Sequence, residues 1–361
     1  MKAAVLWNAG DTAVDVIGDV ALVGLGPNEV RVRLAASGLC QTDISAMAGT
    51  MPTATPAVLG HEGAGVIVSV GSEVKTLSIG DHVILSYAPP CGQCRFCLRN
   101  QANLCVGVFD PFDIPAKFVI RGQPGTGLAG LGTWAQEVVV PQQAAVAIPQ
   151  DIPLDIAALL GCAVVTGVGA AINTASIRPG DAVAVIGCGG IGLSIIQGAR
   201  VAGAGRIIGV DPAAERRAAA LRLGATDTVD PVEFVTLLDQ VNGGDGADHV
   251  FEAAGRGGTI RDAFDATRKG GEIIVVGAGS MDDEVSFSAF ELFYYEKTLK
   301  GCFYGSSDAR TDFDRLLELW RTHQLDLEGL VSDRLSIDDI NYGLERMREV
   351  VGVRQLVVYD L

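Results

Sequence analysis

The first third of the chain consists of short apolar runs separated by turn residues. Residues 29–34 alternate between polar and apolar positions, and residues 65–70 form a run rich in valine and isoleucine. Such runs are typical of strands joined by tight turns, so the pattern up to about Gly122 predicts an antiparallel β domain. Residues 108–131, with three prolines, predict a long irregular loop with room for one strand. Residues 136–140 predict a further strand.

The period of the pattern changes after Pro153. Residues 156–173 are rich in alanine and predict a helix, and buried strands then alternate with helices. The strands are predicted at 182–186, 206–210, 247–252 and 272–276, and the helices at 192–203, 212–223 and 259–267. This alternation is typical of parallel βαβ units. A helix at 311–323, a segment at 336–350 and a last strand at 355–359 follow.

Length and charge limit the kind of protein that this chain can be. Its 361 residues exceed the roughly 250–300 at which a single core stops growing, so two domains are expected. Hydrophobic residues make up 48% and charged residues 19%, which favours a packed fold. The formal net charge of -16 disfavours nucleic acid and membrane surfaces as partners.

The predicted location is cytoplasmic. Asp11 interrupts the N-terminal residues before an apolar leader could form. The uncharged stretch 182–199 is nearly long enough to span a membrane, but its five glycines favour a strand followed by a phosphate-binding turn. Eight cysteines in such a chain indicate metal ligands or reactive thiols more than a disulfide framework.

Four of these cysteines lie close together, at Cys91, Cys94, Cys97 and Cys105. This spacing is typical of a structural zinc ion held by four thiolates. Disulfides and an iron–sulfur cluster are the alternatives, although the long gap before Cys105 and the absence of a following proline disfavour a cluster. Because four thiolates leave zinc no open position, the chemistry is expected elsewhere.

A glycine-rich turn follows the strand predicted at 182–186. Gly187, Gly189 and Gly192 form the spacing of a dinucleotide-binding turn between a strand and a helix. Asp211 ends the next strand, where a carboxylate accepts ribose hydroxyls and repels a 2′-phosphate, so NAD is favoured over NADP. Arg216 is a candidate contact to the adenosine ribose, with a solvated helix surface as the alternative. For the three glycines, the alternative to a dinucleotide-binding turn is a tight turn that only allows close packing.

Three candidate metal ligands remain outside the cysteine cluster. Cys40 and Cys162 are left over from the cysteine cluster, and His61 lies between two glycines. With the other motifs, they show that the chain resembles the medium-chain zinc-dependent alcohol dehydrogenases over nearly its whole length. The resemblance implies a GroES-like antiparallel β catalytic domain, residues 1–162 and 304–361, that carries both zinc ions. It also implies a Rossmann NAD-binding domain, a doubly wound parallel sheet, over residues 163–303, and an active site between the two.

The resemblance assigns a role to each matching residue. Cys40, His61 and Cys162 would hold the catalytic zinc, Thr42 would relay the alcohol proton, Asp43 would orient His61, and Glu62 would lie behind the metal. The expected cofactor contacts besides those above are Gln41, Thr166, Gly190, Ile191, Ala254, Val276, Tyr304 and Arg354. The expected pocket lining is Met51, Tyr87, Trp134, Ala278 and Phe303, which is largely apolar and suggests medium-chain or aromatic alcohols.

Two positions depart from the family pattern. Gln41 stands where many relatives carry His or Arg near the pyrophosphate, so NAD is expected to bind less tightly. Ser45 stands where the best-described proton relay has a histidine, and a hydroxyl does not titrate near neutral pH. The proton is therefore expected to leave through water or another group.

Four functions remain open at this point. The favoured one is a reversible NAD-dependent oxidation of a primary alcohol to an aldehyde. The alternatives are a dehydrogenase for a thiol adduct of formaldehyde, a polyol, secondary-alcohol or threonine dehydrogenase, and a zinc protein without catalysis. The expected partner is a small-molecule alcohol or aldehyde, and the expected assembly is a homodimer, with a tetramer as the alternative.

Overall fold

The structure is a computed structural model that describes residues 1–107 and 113–360. This part of the chain forms two compact units. The first contains Met1–Cys162, Asp308–Arg315 and the chain from Val331 onward, and the second contains Ala163–Ser307 and Leu316–Leu330. The predicted division also falls after residue 162, but it placed residues 304–307 and 316–330 with the first unit rather than the second.

The strands and helices are numbered in chain order. The strands are β1 (Ala3–Leu6), β2 (Asp15–Ile17), β3 (Val20–Leu22), β4 (Glu29–Gly38), β5 (Ala57–Val58), β6 (Gly63–Val70), β7 (His82–Leu85), β8 (Phe118–Ile120), β9 (Gln123–Gly127), β10 (Glu137–Pro141), β11 (Ala145–Ile148), β12 (Ala182–Ile186), β13 (Arg206–Val210), β14 (Asp227–Val229), β15 (Ala247–Glu252), β16 (Thr267–Val275), β17 (Thr298–Gly301), β18 (Val331–Leu335) and β19 (Arg354–Val358). The α-helices are α1 (Gln41–Ala48), α2 (Leu154–Ala158), α3 (Ala163–Gly169), α4 (Gly190–Val201), α5 (Ala214–Arg222), α6 (Pro231–Leu238), α7 (Gly257–Ala266), α8 (Ala289–Tyr294), α9 (Ala309–Arg321) and α10 (Ile340–Arg348).

The first unit is built from two largely antiparallel sheets. Their strand orders are β2-β1-β5-β9-β8-β3 and β11-β7-β6-β4-β19-β18, and β10 also pairs with β4. On β4, Val30, Val32 and Leu34 are fully buried, whereas Arg31 and Arg33 point outward to Glu137. The alternation read from the sequence thus places one side of this strand in the core, and the predicted GroES-like β fold is confirmed.

The second unit contains a parallel sheet with the order β14-β13-β12-β15-β16-β17. The order runs outward in both directions from β12 and β15, so the direction of winding reverses between these two strands. In such sheets, ligands bind outside the carboxyl ends of the strands at the reversal. The predicted Rossmann fold is confirmed, although the edge strands β14 and β17 and the helices α6 and α8 were not predicted.

The helix predicted over residues 156–173 is interrupted. The chain forms α2, a 3₁₀ turn at Leu159–Gly161, α3 and a π-helical turn at Ala170–Thr174. Cys162 has φ -142° and ψ -74°, outside the helical region. A Cβ atom at Gly161 would lie 2.9 Å from the carbonyl oxygen of Leu85, so the neighbouring strand approaches the break closely. Alanine content predicted helix here, but packing against β7 decides where the helix stops.

The irregular loop predicted over residues 108–131 is also corrected. Residues 108–112 lie outside the described part of the chain. The remainder contains two strands, β8 and β9, which pair in antiparallel fashion. Their pairing explains the buried Phe118 and Ile120, which pack in the core of the first unit.

The described residues include no single helix that is long and apolar enough to cross a membrane. One bent pair, Leu154–Gly161 and Ala163–Thr174, passes by length and composition alone. Most of its side chains are buried.

Candidate functional site

The four clustered cysteines converge in the loop that follows β7. The sulfur atoms of Cys91, Cys94, Cys97 and Cys105 all lie within 4.8 Å of one another. The Sγ of Cys94 is 3.6 Å from that of Cys97 and 3.8 Å from that of Cys105, and none of the cysteines is paired in a disulfide. Tetrahedral Zn–S bonds of about 2.3 Å separate their sulfurs by roughly 3.8 Å, so the observed spacing fits a zinc ion.

Backbone amides point at these sulfur atoms. The N–H of Cys91 donates to Cys105 Sγ at 3.1 Å, and the N–H of Cys94 donates to Cys91 Sγ at 3.3 Å. Hydrogen bonds from the backbone of Cys97 and Val106 lower the pKa of Cys94 to about 6, whereas burial raises the pKa of Cys97 to about 12. The loop is therefore arranged to hold thiolates, and a bound cation would offset the burial of Cys97.

Replacing Cys97 with serine is expected to release one zinc ion per chain and to lower the melting temperature. Structural zinc contributes folding free energy directly, so the loss should reach at least about 5 °C. Metal analysis and calorimetry measure the two effects. Leu98→Ser is the control, because Leu98 is 74% exposed beside the cluster and should leave zinc in place. Full zinc content in Cys97→Ser would contradict the assignment.

A second group of candidate metal-binding side chains is buried, and all of its members belong to the first unit. It consists of Cys40, His61, Glu62 and Cys162, whose ligand atoms lie within 4.8 Å of one another. Cys40 precedes α1, His61 precedes β6, and Cys162 occupies the helix break. Gly60 has φ +84° and its Cβ would collide with Trp134, so this glycine permits the turn that aims His61 inward.

The hydrogen bonds of His61 fit a metal ligand. Its Nδ1 lies 3.4 Å from Asp43 Oδ1, while its buried Nε2 has no hydrogen-bond partner. Buried polar atoms are rarely left without a partner, and a metal ion would satisfy this nitrogen. Two sulfurs and one imidazole are also a zinc donor set that keeps one position open. The residues present therefore fit a catalytic zinc ion.

Asp43 forms hydrogen bonds with the backbone beside Cys40 and His61. Its Oδ2 accepts the N–H of Cys40 and its Oδ1 accepts the N–H of Gly60, both at 2.9 Å. The carboxyl group is fully buried, and this burial raises its pKa, against the lowering effect of His61. One buried carboxylate therefore contacts Cys40, Gly60 and His61.

The sulfur atoms of Cys40 and Cys162 lie within 4.8 Å of each other. Interaction with Cys162 lowers the pKa of Cys40 well below its ordinary value, and interaction with Cys40 raises the pKa of Cys162. Thr42 Oγ1 lies 3.7 Å from Cys40 Sγ, so the hydroxyl expected to relay the proton is beside the metal-binding group.

Glu62 forms a buried ion pair with Arg354. The two residues are 0% and 4% exposed. Burial raises the pKa of Glu62 to about 7, and Arg354 opposes the increase. A Cβ at Gly38 would collide with this carboxylate, so the glycine makes room for the pair. Arg354 was expected to contact the cofactor, and in this structure its partner is Glu62.

The glycine-rich turn in the second unit has the predicted form. Gly187 has φ +95°, and a Cβ at Gly192 would lie 1.8 Å from the carbonyl oxygen of Gly187. Gly190 and Ile191 begin α4, whose N-cap, Gly189, makes no side-chain capping bond. In the described structure, no carboxylate accepts a hydrogen bond from the backbone N–H of Gly190, Ile191 or Gly192, so the first turn of this helix is open to a phosphate group.

Asp211 lies at the carboxyl end of β13 and is 3% exposed. Its Oδ2 accepts the N–H of Cys188 and its Oδ1 accepts the N–H of Ala213, both at 2.8 Å. Arg216 Nη1 is 4.0 Å from Asp211 Oδ2, and its buried Nε has no partner. The carboxylate is thus held beside the glycine-rich turn, where the ribose is expected.

The other predicted residues fall in both units. In the first, Gln41 is exposed, Ser45 and Met51 are half-buried, and the Tyr87 ring packs edge-on to His61 at 5.6 Å. Trp134 has no exposed surface, and its ring lies against Gly60. In the second unit, Thr166, Val276 and Tyr304 are buried, whereas Ala254, Ala278 and Phe303 are exposed.

Glu252 was not predicted as a functional residue from the sequence. This residue ends β15, is fully buried, and accepts three hydrogen bonds on one oxygen. An acidic residue that closes an apolar strand before Ala-Ala-Gly was the available signal.

Comparisons with known proteins agree with this description. Residues 26–150 match the family described as alcohol dehydrogenase GroES-like domain, and residues 190–321 match that described as zinc-binding dehydrogenase. A Mycobacterium tuberculosis protein provisionally named alcohol dehydrogenase D is 35% identical, and an S-(hydroxymethyl)glutathione dehydrogenase of Escherichia coli O1:K1 is 36% identical; each match covers 99% of both chains. The crystal structure of benzyl alcohol dehydrogenase from Acinetobacter calcoaceticus is similar with a TM-score of 0.92, at 27% identity over 99% of both chains.

Proposed function

Because the chain belongs to the medium-chain zinc-dependent alcohol dehydrogenase family, we propose that it oxidises primary alcohols to aldehydes and transfers the hydride to NAD. The observation that carries the proposal is the buried group of Cys40, His61 and Cys162, in which His61 Nε2 lacks a partner. The uncapped N-terminus of α4 and the nearby Asp211 support a dinucleotide cofactor.

The residues of the first unit prepare the alcohol for oxidation. A zinc ion held by Cys40, His61 and Cys162 would act as a Lewis acid that lowers the pKa of a hydroxyl group. Asp43 holds the His61 ring in the orientation that directs Nε2 toward the two sulfurs. The hydroxyl of Thr42, beside Cys40, takes the alcohol proton and passes it on.

Thr42→Ala is expected to reduce turnover by at least about 100-fold with little change in NAD affinity, since positioned proton transfer contributes that much. Thr42→Ser is the control and should keep most of the activity, because it retains the hydroxyl. Steady-state kinetics and NAD titration separate the two effects. A fully active Thr42→Ala enzyme would show that the proton leaves by another route.

Ser45→His is expected to add an ionisation near 6.5 to the pH profile of alcohol oxidation. The neutral imidazole accepts the departing proton, so the rate should rise as the pH increases through this value. The wild type, with a hydroxyl at this position, should lack that ionisation. A wild-type profile that already contains it would contradict the assignment of Ser45 to the relay.

Medium-chain or aromatic alcohols are the proposed substrates. Tyr87 beside His61, the half-buried Met51 and the exposed Phe303 present apolar surface. A panel of primary alcohols, read by NADH absorbance, tests the proposal. Activity with benzyl alcohol and straight-chain alcohols above that with ethanol is the expected result, and preference for secondary alcohols or polyols would oppose it.

A second candidate is oxidation of a thiol adduct of formaldehyde. The similarity to an S-(hydroxymethyl)glutathione dehydrogenase, 36% identical over 99% of both chains, favours it. The same assay with formaldehyde and added glutathione or mycothiol distinguishes the candidates. A rate that requires the thiol would support the second one.

A homodimer is the proposed assembly. Of the described strands, only β16 pairs with β17, which leaves the other edge of β17 open. The helix α8, which comes shortly before β17 in the chain, exposes Phe290 and Phe293 at 63% and 76%. An open sheet edge and exposed apolar side chains both suit pairing with a second copy of the chain.

Phe293→Asp is therefore expected to convert a dimer into a monomer, since it places a charge in an apolar contact. Light scattering after gel filtration measures the mass. Val232→Asp is the control, because Val232 on α6 is 88% exposed and apolar but lies away from this edge. Equal masses for the wild type and Phe293→Asp would contradict the proposed surface.

A further inference from the structure

Glu252 is a fully buried carboxylate at the carboxyl end of β15. Its Oε1 accepts the N–H of Ala254 at 2.9 Å, the N–H of Gly255 at 2.8 Å and the hydroxyl of Thr259 at 2.7 Å. Its Oε2 has no hydrogen-bond partner in the described structure. A buried ion is costly unless it is well bonded, so three converging donors on one oxygen indicate a fixed position.

The backbone of Glu252 binds a second loop. Its carbonyl oxygen accepts the N–H groups of Val276 and Gly277, at 2.8 and 2.9 Å. The loop after β15 and the loop after β16 are thereby tied to one residue. A Cβ at Gly277 would lie 2.2 Å from the nitrogen of Gly255, so the two backbones are in direct contact.

These loops lie where one half of a dinucleotide is expected. A doubly wound sheet binds its two mononucleotide halves on either side of the reversal of winding. The turn at Gly187 and the carboxylate of Asp211 follow β12 and β13 and serve the adenosine half. The ends of β15 and β16 therefore serve the nicotinamide half.

The N-terminus of α7 differs from that of α4. Thr259 lies in the first turn of α7 and bonds to Glu252, and the N–H of Gly257 donates to Asp283 Oδ2 at 2.7 Å. The carboxylate of Asp283 thus occupies the positive end of this helix, and that of Glu252 lies beside it, where both are electrostatically favourable. At α4, the carboxylate of Asp211 bonds to the N–H of Cys188, before the helix, so the first-turn amides of α4 remain for the pyrophosphate, and the α7 side faces a group without phosphate charge.

We propose that Glu252 is a positioning residue for the nicotinamide half of the cofactor. Its carboxylate holds the loop 253–256, and its carbonyl group holds the loop 276–279, so the two loops expected to line the nicotinamide site have a fixed backbone before the cofactor binds. Loops that are already ordered lose less conformational entropy when the cofactor binds. This inference rests on the proposed use of NAD and adds a residue that determines affinity for one half of it.

Binding calorimetry with NAD and with ADP-ribose, which lacks the nicotinamide ring, tests the proposal. Glu252→Ala should raise the Kd for NAD about tenfold and leave the Kd for ADP-ribose within about twofold. Thr259→Val, which removes one of the three donors, should raise the Kd for NAD about threefold and is the milder variant should Glu252→Ala not fold. Glu252→Gln, which keeps an acceptor oxygen, should recover most of the affinity.

Glu272→Gln is the structural control. Glu272 lies on the neighbouring strand β16 and bonds to Lys300, His249 and the N–H of Ser176. Its loss should lower the melting temperature without changing either Kd. Equal changes in both affinities for Glu252→Ala and Thr259→Val, or lower stability with unchanged NAD affinity, would overturn the inference. If the wild-type protein binds both ligands but oxidises no alcohol, the proposed function is refuted. The comparison of NAD and ADP-ribose binding would still test the role of Glu252.

Discussion

Cys162→Ser is expected to abolish alcohol oxidation while the protein still binds NAD. Cys162 is 5% exposed, belongs to the buried group of candidate metal-binding residues, and is one of the three proposed zinc ligands. Serine has nearly the same shape, but its hydroxyl remains protonated near neutral pH and is a poor zinc ligand. The loss of a Lewis acid worth several kcal/mol should reduce turnover by roughly a thousandfold or more.

Metal analysis should find one zinc ion per chain in Cys162→Ser and two in the wild type. Cys302→Ser is the matched control, because Cys302 is 8% exposed in the second unit and belongs to neither metal group. It should keep two zinc ions and normal turnover. If Cys162→Ser keeps full activity or still binds two zinc ions, Cys162 is not a ligand of the catalytic zinc.

The wild-type enzyme is expected to use NADP less efficiently than NAD by roughly two to three orders of magnitude. A 2′-phosphate would meet the buried carboxylate of Asp211, and an unpaired contact between like charges costs several kcal/mol. Asp211→Ser removes this repulsion and leaves Arg216, whose Nε has no partner, beside the ribose position. The Asp211→Ser variant should therefore show a smaller preference for NAD over NADP, or prefer NADP.

The ratio of kcat/KM for the two cofactors measures this effect. Asp227→Asn is the control, because Asp227 on the adjacent strand β14 is an acid already bonded to Arg206. It should leave the ratio unchanged. Equal use of NAD and NADP by the wild type would mean that the Asp211 carboxylate does not face the ribose.

Local patterns in the sequence predicted those parts of the fold that depend on residues close together in the chain. The alternation in β4 predicted its buried side, because side chains point alternately to the two sides of a strand. The spacing of Cys91, Cys94, Cys97 and Cys105 predicted their convergence, since a short loop can wrap one ion. The glycines from Gly187 to Gly192 predicted a tight turn, because only glycine tolerates its φ and its close contacts.

Contacts between distant residues were decided by the tertiary structure. The sequence named Cys40, His61 and Cys162 by resemblance, but packing against β7 broke the predicted helix at Cys162 and brought the three together. Glu62 and Arg354 lie 292 positions apart, and their ion pair appears only in the fold. The sequence marks Glu252 only as an acid at the end of an apolar strand, and its hydrogen bonds to the loops after β15 and β16 appear only in the fold. Spacing and backbone preference are local properties of a chain, whereas the partners of a buried charge depend on how separate segments pack.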